Sequence, residues 1–251
     1  MARLVLPLPD SKKEGIALTK QAIGIIGGMG PMATLDLFGK LIANTDASND
    51  AEHIRTYIDC HTGIPDRTKA ILHGGESPVS YIAESACKLA DMGADFLLIP
   101  CNTSHYFYDE IVAASPIPVM HMIRETAIAL EAQGVTRVGL LATDGTLQSG
   151  IYQRELEVRG IQTICPLSEE QQEVMRLIYE GVKADAPCFD TTVIEAMVAR
   201  MKREGAERLV LGCTELPLGF ERYGLSCEDT VDPSVILARA AVKRAGYPVR
   251  R

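Results

Sequence analysis

The sequence predicts an α/β protein made of two similar, pseudo-twofold-related domains, each a mostly parallel sheet flanked by helices. Three observations lead there. Short apolar runs alternate with segments of helical spacing along the whole chain, the pattern of repeated strand-helix units. Two pairs of stretches repeat at nearly one offset. The 251 residues are enough for two compact domains of about 100 to 125 residues each.

Residues 1 to 20 carry a Pro-x-Pro segment and a Ser-Lys-Lys-Glu run, and read as a mobile extension or interface arm. Strands are expected at 22–26, 54–60, 96–100, 119–121, 138–141, 162–165 and 209–212, where β-branched and other apolar residues cluster in short runs. Helices are expected at 31–44, 78–92, 125–133, 149–159, 168–183, 191–204 and 234–245, several of which stop at a glycine. The division that follows assigns residues 1–120 and 232–251 to a first domain and 121–231 to a second, with an active site in the cleft between them.

Composition narrows the function. With 47% hydrophobic and 23% charged residues the chain reads as an ordinary globular protein. A net charge of -8 and no long Lys/Arg cluster argue against a nucleic-acid partner. No run approaches the 18 apolar residues of a membrane span and the N-terminus lacks a signal-like apolar region, so a cytoplasmic protein is expected. The seven cysteines, at 60, 87, 101, 165, 188, 213 and 227, show no CxxC spacing, which disfavours a disulfide framework and a metal site alike. Cys87 reads as a small buried hydrophobe on a helix.

The repeat singles out two of these thiols. Gly93-Ala94-Asp95-Phe96-Leu97-Leu98-Ile99-Pro100-Cys101 aligns without gaps on Gly205-Ala206-Glu207-Arg208-Leu209-Val210-Leu211-Gly212-Cys213, an offset of 112 (213 minus 101). Ile23-Gly24-Ile25-Ile26 with Gly30 aligns on Val138-Gly139-Leu140-Leu141 with Gly145, an offset of 115 (139 minus 24). Each half therefore has a glycine-containing loop after its first strand and a cysteine beyond a later one. Parallel sheets bind ligands outside the carboxyl ends of their strands, so facing halves would set one thiol on each side of a small ligand. A thiol has a reference pKa of about 8.5, lowered at helix N-termini, and serves as acid or base near neutral pH. Two opposed thiols suit removal of a proton from one face of a carbon and its return to the other, the chemistry of racemisation. Asn102, Thr103 and Thr214, next to the cysteines, can cap helices or bind a ligand carboxylate.

Taken together, GIIGGMGPMATLDLF (24–38), IPDRT (64–68), PCNTSH (100–105), LLATDGT (140–146), IYEGVKA (178–184) and GCTEL (212–216) resemble the aspartate/glutamate racemase superfamily, and within it the aspartate racemases. The resemblance covers about residues 22–245. It implies a cofactor-independent racemase, without pyridoxal phosphate, whose catalytic pair is Cys101 and Cys213. Cys213 would then act on the L-isomer and Cys101 on the D-isomer. Asn102, Thr103 and Thr214 would surround the α-carboxylate and amino group, Arg67 and Lys183 would hold a side-chain carboxylate, and Met29 and Thr143 would line the pocket. Gly28, His105, Thr146 and Glu215 would support it, with Asp66 and Glu215 tuning the thiols or answering positive partners. The substrate would be an acidic amino acid, aspartate or glutamate, and the assembly a homodimer.

Three other readings remain at this stage. Gly28-Met29-Gly30-Pro31-Met32-Ala33 fits the G-x-G-x-x-A of a dinucleotide site, although Thr143-Asp144-Gly145-Thr146 in the second half does not. A two-domain binding protein with inert cysteines is another. The third keeps the superfamily and changes the reaction to maleate isomerisation, hydantoin racemisation or decarboxylation.

Overall fold

The structure, a computed structural model, describes residues 20–251, so the extension expected at the N-terminus lies, but for Lys20, outside the described residues. The first half runs β1 (Ile23–Gly27), α1 (Pro31–Asn44), a 3-10 turn (Asp50–Glu52), β2 (Thr56–Cys60), α2 (Arg67–Leu72), α3 (Val79–Asp91), β3 (Phe96–Leu98), a 3-10 turn (Thr103–Phe107), α4 (Tyr108–Ala114) and α5 (Met122–Ala132). The second half runs β4 (Arg137–Leu141), α6 (Asp144–Ser149), α7 (Ile151–Glu157), β5 (Gln162–Ile164), α8 (Ser168–Arg176), a π-helical turn (Leu177–Lys183), α9 (Thr192–Arg203), β6 (Arg208–Leu211), α10 (Glu215–Arg222), β7 (Thr230–Val231) and α11 (Pro233–Arg244). The strand orders are β2-β1-β3 and β5-β4-β6-β7, and every pairing is parallel.

Helices cover both faces of each sheet, so the central strands are apolar on both sides. Ile23, Ile25, Phe96 and Leu98 face one core, where α11 contributes Leu237, Ala238 and Ala241 beside Leu37 of α1. Ile26, Leu97 and Ile99 face the other, against Ile82 and Leu89 of α3. The second sheet repeats the arrangement with Val138, Leu140 and Val210 on one face and Leu141, Leu209 and Leu211 on the other. Burying each such side chain contributes roughly 1.5–3 kcal/mol. The repeat has a packing cause. A Cβ on Gly24 would come 2.6 Å from Leu97 Cδ2, and one on Gly139 would come 2.9 Å from Leu209 Cδ1. Leu97 and Leu209 are equivalent in the aligned stretches, so both halves keep a glycine where the neighbouring strand's leucine lies across it.

Several expected elements differ. Residues 119–121 make only an isolated parallel bridge, Val119 to Leu97, because His121 turns the chain into α5 as its N-cap, its ring accepting from Arg124 N. The helix expected at 149–159 is split at Gly150, whose left-handed φ of 68° ends α6 and starts α7. The helix expected at 168–183 is α-helical only to Arg176 and then widens into the π-turn. Helices α2 and α6 and the short strand β7 were not anticipated, whereas the helical turns expected just past Cys101 and Cys213 are the 3-10 turn at Thr103–Phe107, which runs on into α4, and α10. Cys87 is exposed rather than buried: the inward stripe of α3 is Ile82, Ser85, Ala86 and Leu89, and Cys87 lies one step, about 100°, past Ala86. Among the described residues no helix is long and apolar enough to cross a membrane, and no group of three or more His, Cys, Asp or Glu could hold a metal ion.

Candidate active site

Four strand ends converge on one small, tightly closed cavity. The chain beyond β1 supplies Met29, beyond β3 Cys101 with Asn102 and Thr103, beyond β4 Thr143, and beyond β6 Cys213 with Thr214 and Glu215. Arg67 and Thr68, from the first turn of α2, and Tyr179 and Lys183, from the π-turn, complete it. The two thiols of the repeat thus share one cavity, each only 5% exposed. A π-turn re-aims side chains relative to an α-helix, and here it brings Tyr179 and Lys183 together onto the cavity.

The carbonyl of Cys101 is held by its own neighbours. Ser104 Oγ donates to it at 2.7 Å and His105 Nδ1 at 2.9 Å, while His105 Nε2 accepts from Met122 N at 3.1 Å. Both ring nitrogens are spoken for and burial pushes the His105 pKa down, so the ring is neutral and supports the Cys101 loop without facing the cavity. Asn102, 2% exposed, accepts from the Tyr152 hydroxyl at 2.6 Å through Oδ1, and its Nδ2 has no partner. The Thr103, Thr143 and Thr146 hydroxyls form a triangle, 3.0 Å from Thr103 to each of the others and 3.1 Å between those two, that ties the halves together. Thr143 also caps α6 by accepting from Thr146 N. Thr146 is therefore behind the lining, as a support.

The charged residues are buried or half-buried, not solvated. Arg67, 8% exposed, donates from Nη1 to Ile64 O and Pro65 O and from Nη2 to Met29 O, and its Nε has no partner. Burial opposes its charge, but Cys101 and Asp66 nearby outweigh that and hold the guanidinium's pKa raised. Lys183 Nζ stands 3.8 Å from Glu215 Oε1 and 4.5 Å from the centre of the Tyr179 ring. Its pKa is likewise raised: burial works against it, and Glu215 and Cys213 overcome burial. The Cys213 thiol donates to Glu215 Oε2 at 3.0 Å, and burial, reinforced by that carboxylate, pushes its pKa well up against the pull of Lys183. Asp66 caps α2 through Lys69 N at 2.8 Å and accepts from the Tyr179 hydroxyl at 3.2 Å. Burial would raise its pKa, but the Lys69 N–H and Arg67 lower it. Gly28, at φ +89°, stands behind the lining, where its N–H donates to Thr34 Oγ1 at 2.9 Å and fixes the loop to α1.

Every substrate-contact residue expected from the sequence lines the cavity, while Gly28, His105 and Thr146 do not. The sequence reading missed Thr68, Tyr179 and Tyr152. Tyr179 had a usable signal, since it precedes Lys183 by one helical turn within IYEGVKA. Tyr152 had none locally, its partner being 50 residues away.

A family model described as Asp/Glu/Hydantoin racemase matches residues 26–243. The chain belongs to that family. It is therefore an isomerase of the racemase type, with the family's two-part α/β fold. It is 31% identical over 226 residues to the broad-specificity amino-acid racemase RacX of Bacillus subtilis (strain 168), covering 88% of this chain and 96% of that one. It superposes on the aspartate racemase of Picrophilus torridus with a TM-score of 0.78 and 33% identity, covering 92% of this chain and 96% of that one. An aspartate racemase homologue from Pyrococcus horikoshii OT3 gives a TM-score of 0.72 at 26% identity, over 90% of this chain and 99% of that one. Membership of the racemase family favours the racemase reading over the dinucleotide-site and inert-binder readings.

Proposed function

We propose that this racemase interconverts L- and D-aspartate, and glutamate to an extent set by pocket depth, by a cofactor-independent two-base transfer between Cys101 and Cys213. The observation that carries the reading is the pair of repeat-related, buried thiols on one cavity with Arg67 and Lys183. One sulfur, as thiolate, takes the Cα proton; the electron pair of the broken C–H bond moves onto the α-carboxylate; the opposite thiol gives its proton to the other face. Donors that strengthen as charge builds on the carboxylate lower the barrier. The unpartnered Asn102 Nδ2 would be such a donor, with Thr103, Thr143, Thr214 and Met29 lining the cavity beside it. Arg67 and Lys183 would orient the side-chain carboxylate, Cys213 serving the L-isomer and Cys101 the D-isomer. With residues 1–120 and 232–251 as one domain and 121–231 as the other, the cavity would lie between the two domains.

A second reading, a wider amino-acid range, is favoured by one observation. Lys183 is already answered by Glu215, and the Arg67 Nη atoms are already bound to carbonyls, so less positive charge is free to demand an acidic side chain. Incubating the purified protein with L-aspartate, L-glutamate and neutral amino acids in deuterated water, followed by chiral separation and mass analysis, tests both. D-aspartate carrying deuterium at Cα supports the first reading. Deuterated D-isomers of neutral amino acids formed as fast support the second. No Cα exchange with any of them overturns both. The protein would work in the cytoplasm as a homodimer. Met32, Leu35 and Ile42 give α1 an exposed apolar stripe suited to a second copy, and sedimentation showing a monomer at micromolar concentration would count against it.

A further inference from the structure

The two thiols hold equivalent places in the repeat but not equivalent surroundings. Beside Cys213 stands an anion: Glu215, 4% exposed, takes the S–H on Oε2 at 3.0 Å and the Thr214 hydroxyl on the same oxygen at 3.2 Å. Beside Cys101 stands a cation, the Arg67 guanidinium, immobilised by the carbonyls of Ile64, Pro65 and Met29. At the repeat offset the counterpart of Glu215 is Thr103, a neutral residue whose hydroxyl is engaged with Thr143 and Thr146. The carboxylate is thus particular to the second thiol. Exposure does not distinguish the two sulfurs, since both are 5% exposed.

We propose that Glu215 is a positioning residue that keeps the proton on Cys213 in the free racemase, through the S–H···Oε2 bond at 3.0 Å, so that of the two thiols Cys213 starts as the acid. The proposal rests on the two-thiol reading given above and adds which of its two protonation forms the free enzyme occupies. Cys101 is then the base that acts first, and a substrate whose Cα hydrogen faces Cys213 must wait for a proton to leave that sulfur, for which Glu215 Oε2 is the adjacent acceptor. The other ionisable groups facing Cys213 are Lys183 from the π-turn and Tyr152 from α7. Lys183 pulls the opposite way, but its ammonium is shared with Glu215.

The test is the reactivity of each thiol in the unliganded enzyme, read by iodoacetamide labelling near neutral pH with mass mapping of the modified peptides. One charged neighbour shifts a buried group by roughly one to three pKa units, so Cys101 should label at least about tenfold faster than Cys213. In Glu215→Gln that ratio should fall to within about threefold because Cys213 speeds up, and the basic-going limb of L-to-D kcat/KM should move to lower pH by about one unit, with a smaller shift from D to L. Glu215→Asp, which restores a carboxylate, should recover most of the labelling ratio. Equal labelling in the unmodified enzyme, faster labelling of Cys213, or a Cys213 rate unchanged by Glu215→Gln overturns the proposal; the first two need no variant that folds. Failure of the two-thiol reading itself shows separately, as formation of the opposite isomer at the parent rate in Cys101→Ala or Cys213→Ala.

Discussion

Replacing Tyr152 with Phe removes a single hydroxyl from the seam between the halves. That hydroxyl donates to Asn102 Oδ1 at 2.6 Å, with Thr126 as its other polar neighbour. Tyr152 is fully buried and Asn102 is 2% exposed, so bulk water is not positioned to take over the lost bond. An acceptor stranded in this way costs about 1–3 kcal/mol. At roughly 2–4 °C per kcal/mol for a chain of this size, Tm should fall by about 2–12 °C. The effect should reach the chemistry as well, because the same amide carries the unpartnered Nδ2 that lines the cavity beside Cys101. A slackened Asn102 should lower kcat/KM by up to about tenfold, equivalent to about 1.4 kcal/mol of barrier. Thermal melts and chiral assays on the purified variant measure both. A Tm within about 1 °C of the parent together with unchanged kinetics would refute the claim that the second half positions Asn102 through this bond.

The half-buried, neutral His121 makes stability sensitive to acid. Burial, with His105 and Arg124 adding to it, pushes its pKa down to about 3, whereas an unfolded histidine titrates near 6.5. Below that value the unfolded chain takes up a proton the folded one refuses, so this stabilisation is complete above about pH 6.5 and lost progressively as pH falls towards about 3, with a slope of at most about 1.4 kcal/mol per unit that half-burial reduces. Urea midpoints between pH 7 and 4 should show a shallower fall in His121→Asn, which can still cap α5; identical slopes would refute the assignment. Cys213 acts at the other end of the scale: its raised pKa keeps the proton when folded, so stability should decline above about pH 8.5, where an unfolded thiol ionises, and Cys213→Ser should remove part of that decline. Gly145 lies where α6 meets α2, and a Cβ there would come 3.0 Å from Thr68 Oγ1, 3.1 Å from its Cα and 3.2 Å from Thr103 Cγ2. Gly145→Ala should therefore destabilise by about 1–3 kcal/mol. Gly39→Ala within α1, with nothing within 4 Å, should stabilise by about 0.5–1 kcal/mol, and the opposite order of the two melts would refute the packing argument.

What could be read from the sequence depended on how local its cause was. The strands at β1, β4 and β6 were legible because burial on both sheet faces demands unbroken apolar runs, and α1, α3 and α9 because one buried stripe recurs at helical spacing. The thiol pair was legible because the same packing solution was used twice: a glycine under a leucine and a cysteine past the strand leave the same mark at residues 24, 97 and 101 as at 139, 209 and 213. Helix α2 was missed because it is six residues long, too short for periodicity, and starts at a site residue, Arg67, whose chemistry drew the reading instead. The split at Gly150 shows the limit of periodicity in another way, since an apolar pattern continues across a left-handed residue without registering it. Least legible were the partners of the charges. In a line of letters Arg67 is a cation two residues past Pro65, and nothing there shows that three backbone carbonyls occupy its Nη atoms. Glu215 is next to Cys213 by only two residues, yet its effect depends on which way the first turn of α10 aims it. Motif spacing therefore locates the thiols, but the difference between them belongs to side chains that only the folded chain brings to one sulfur and withholds from the other.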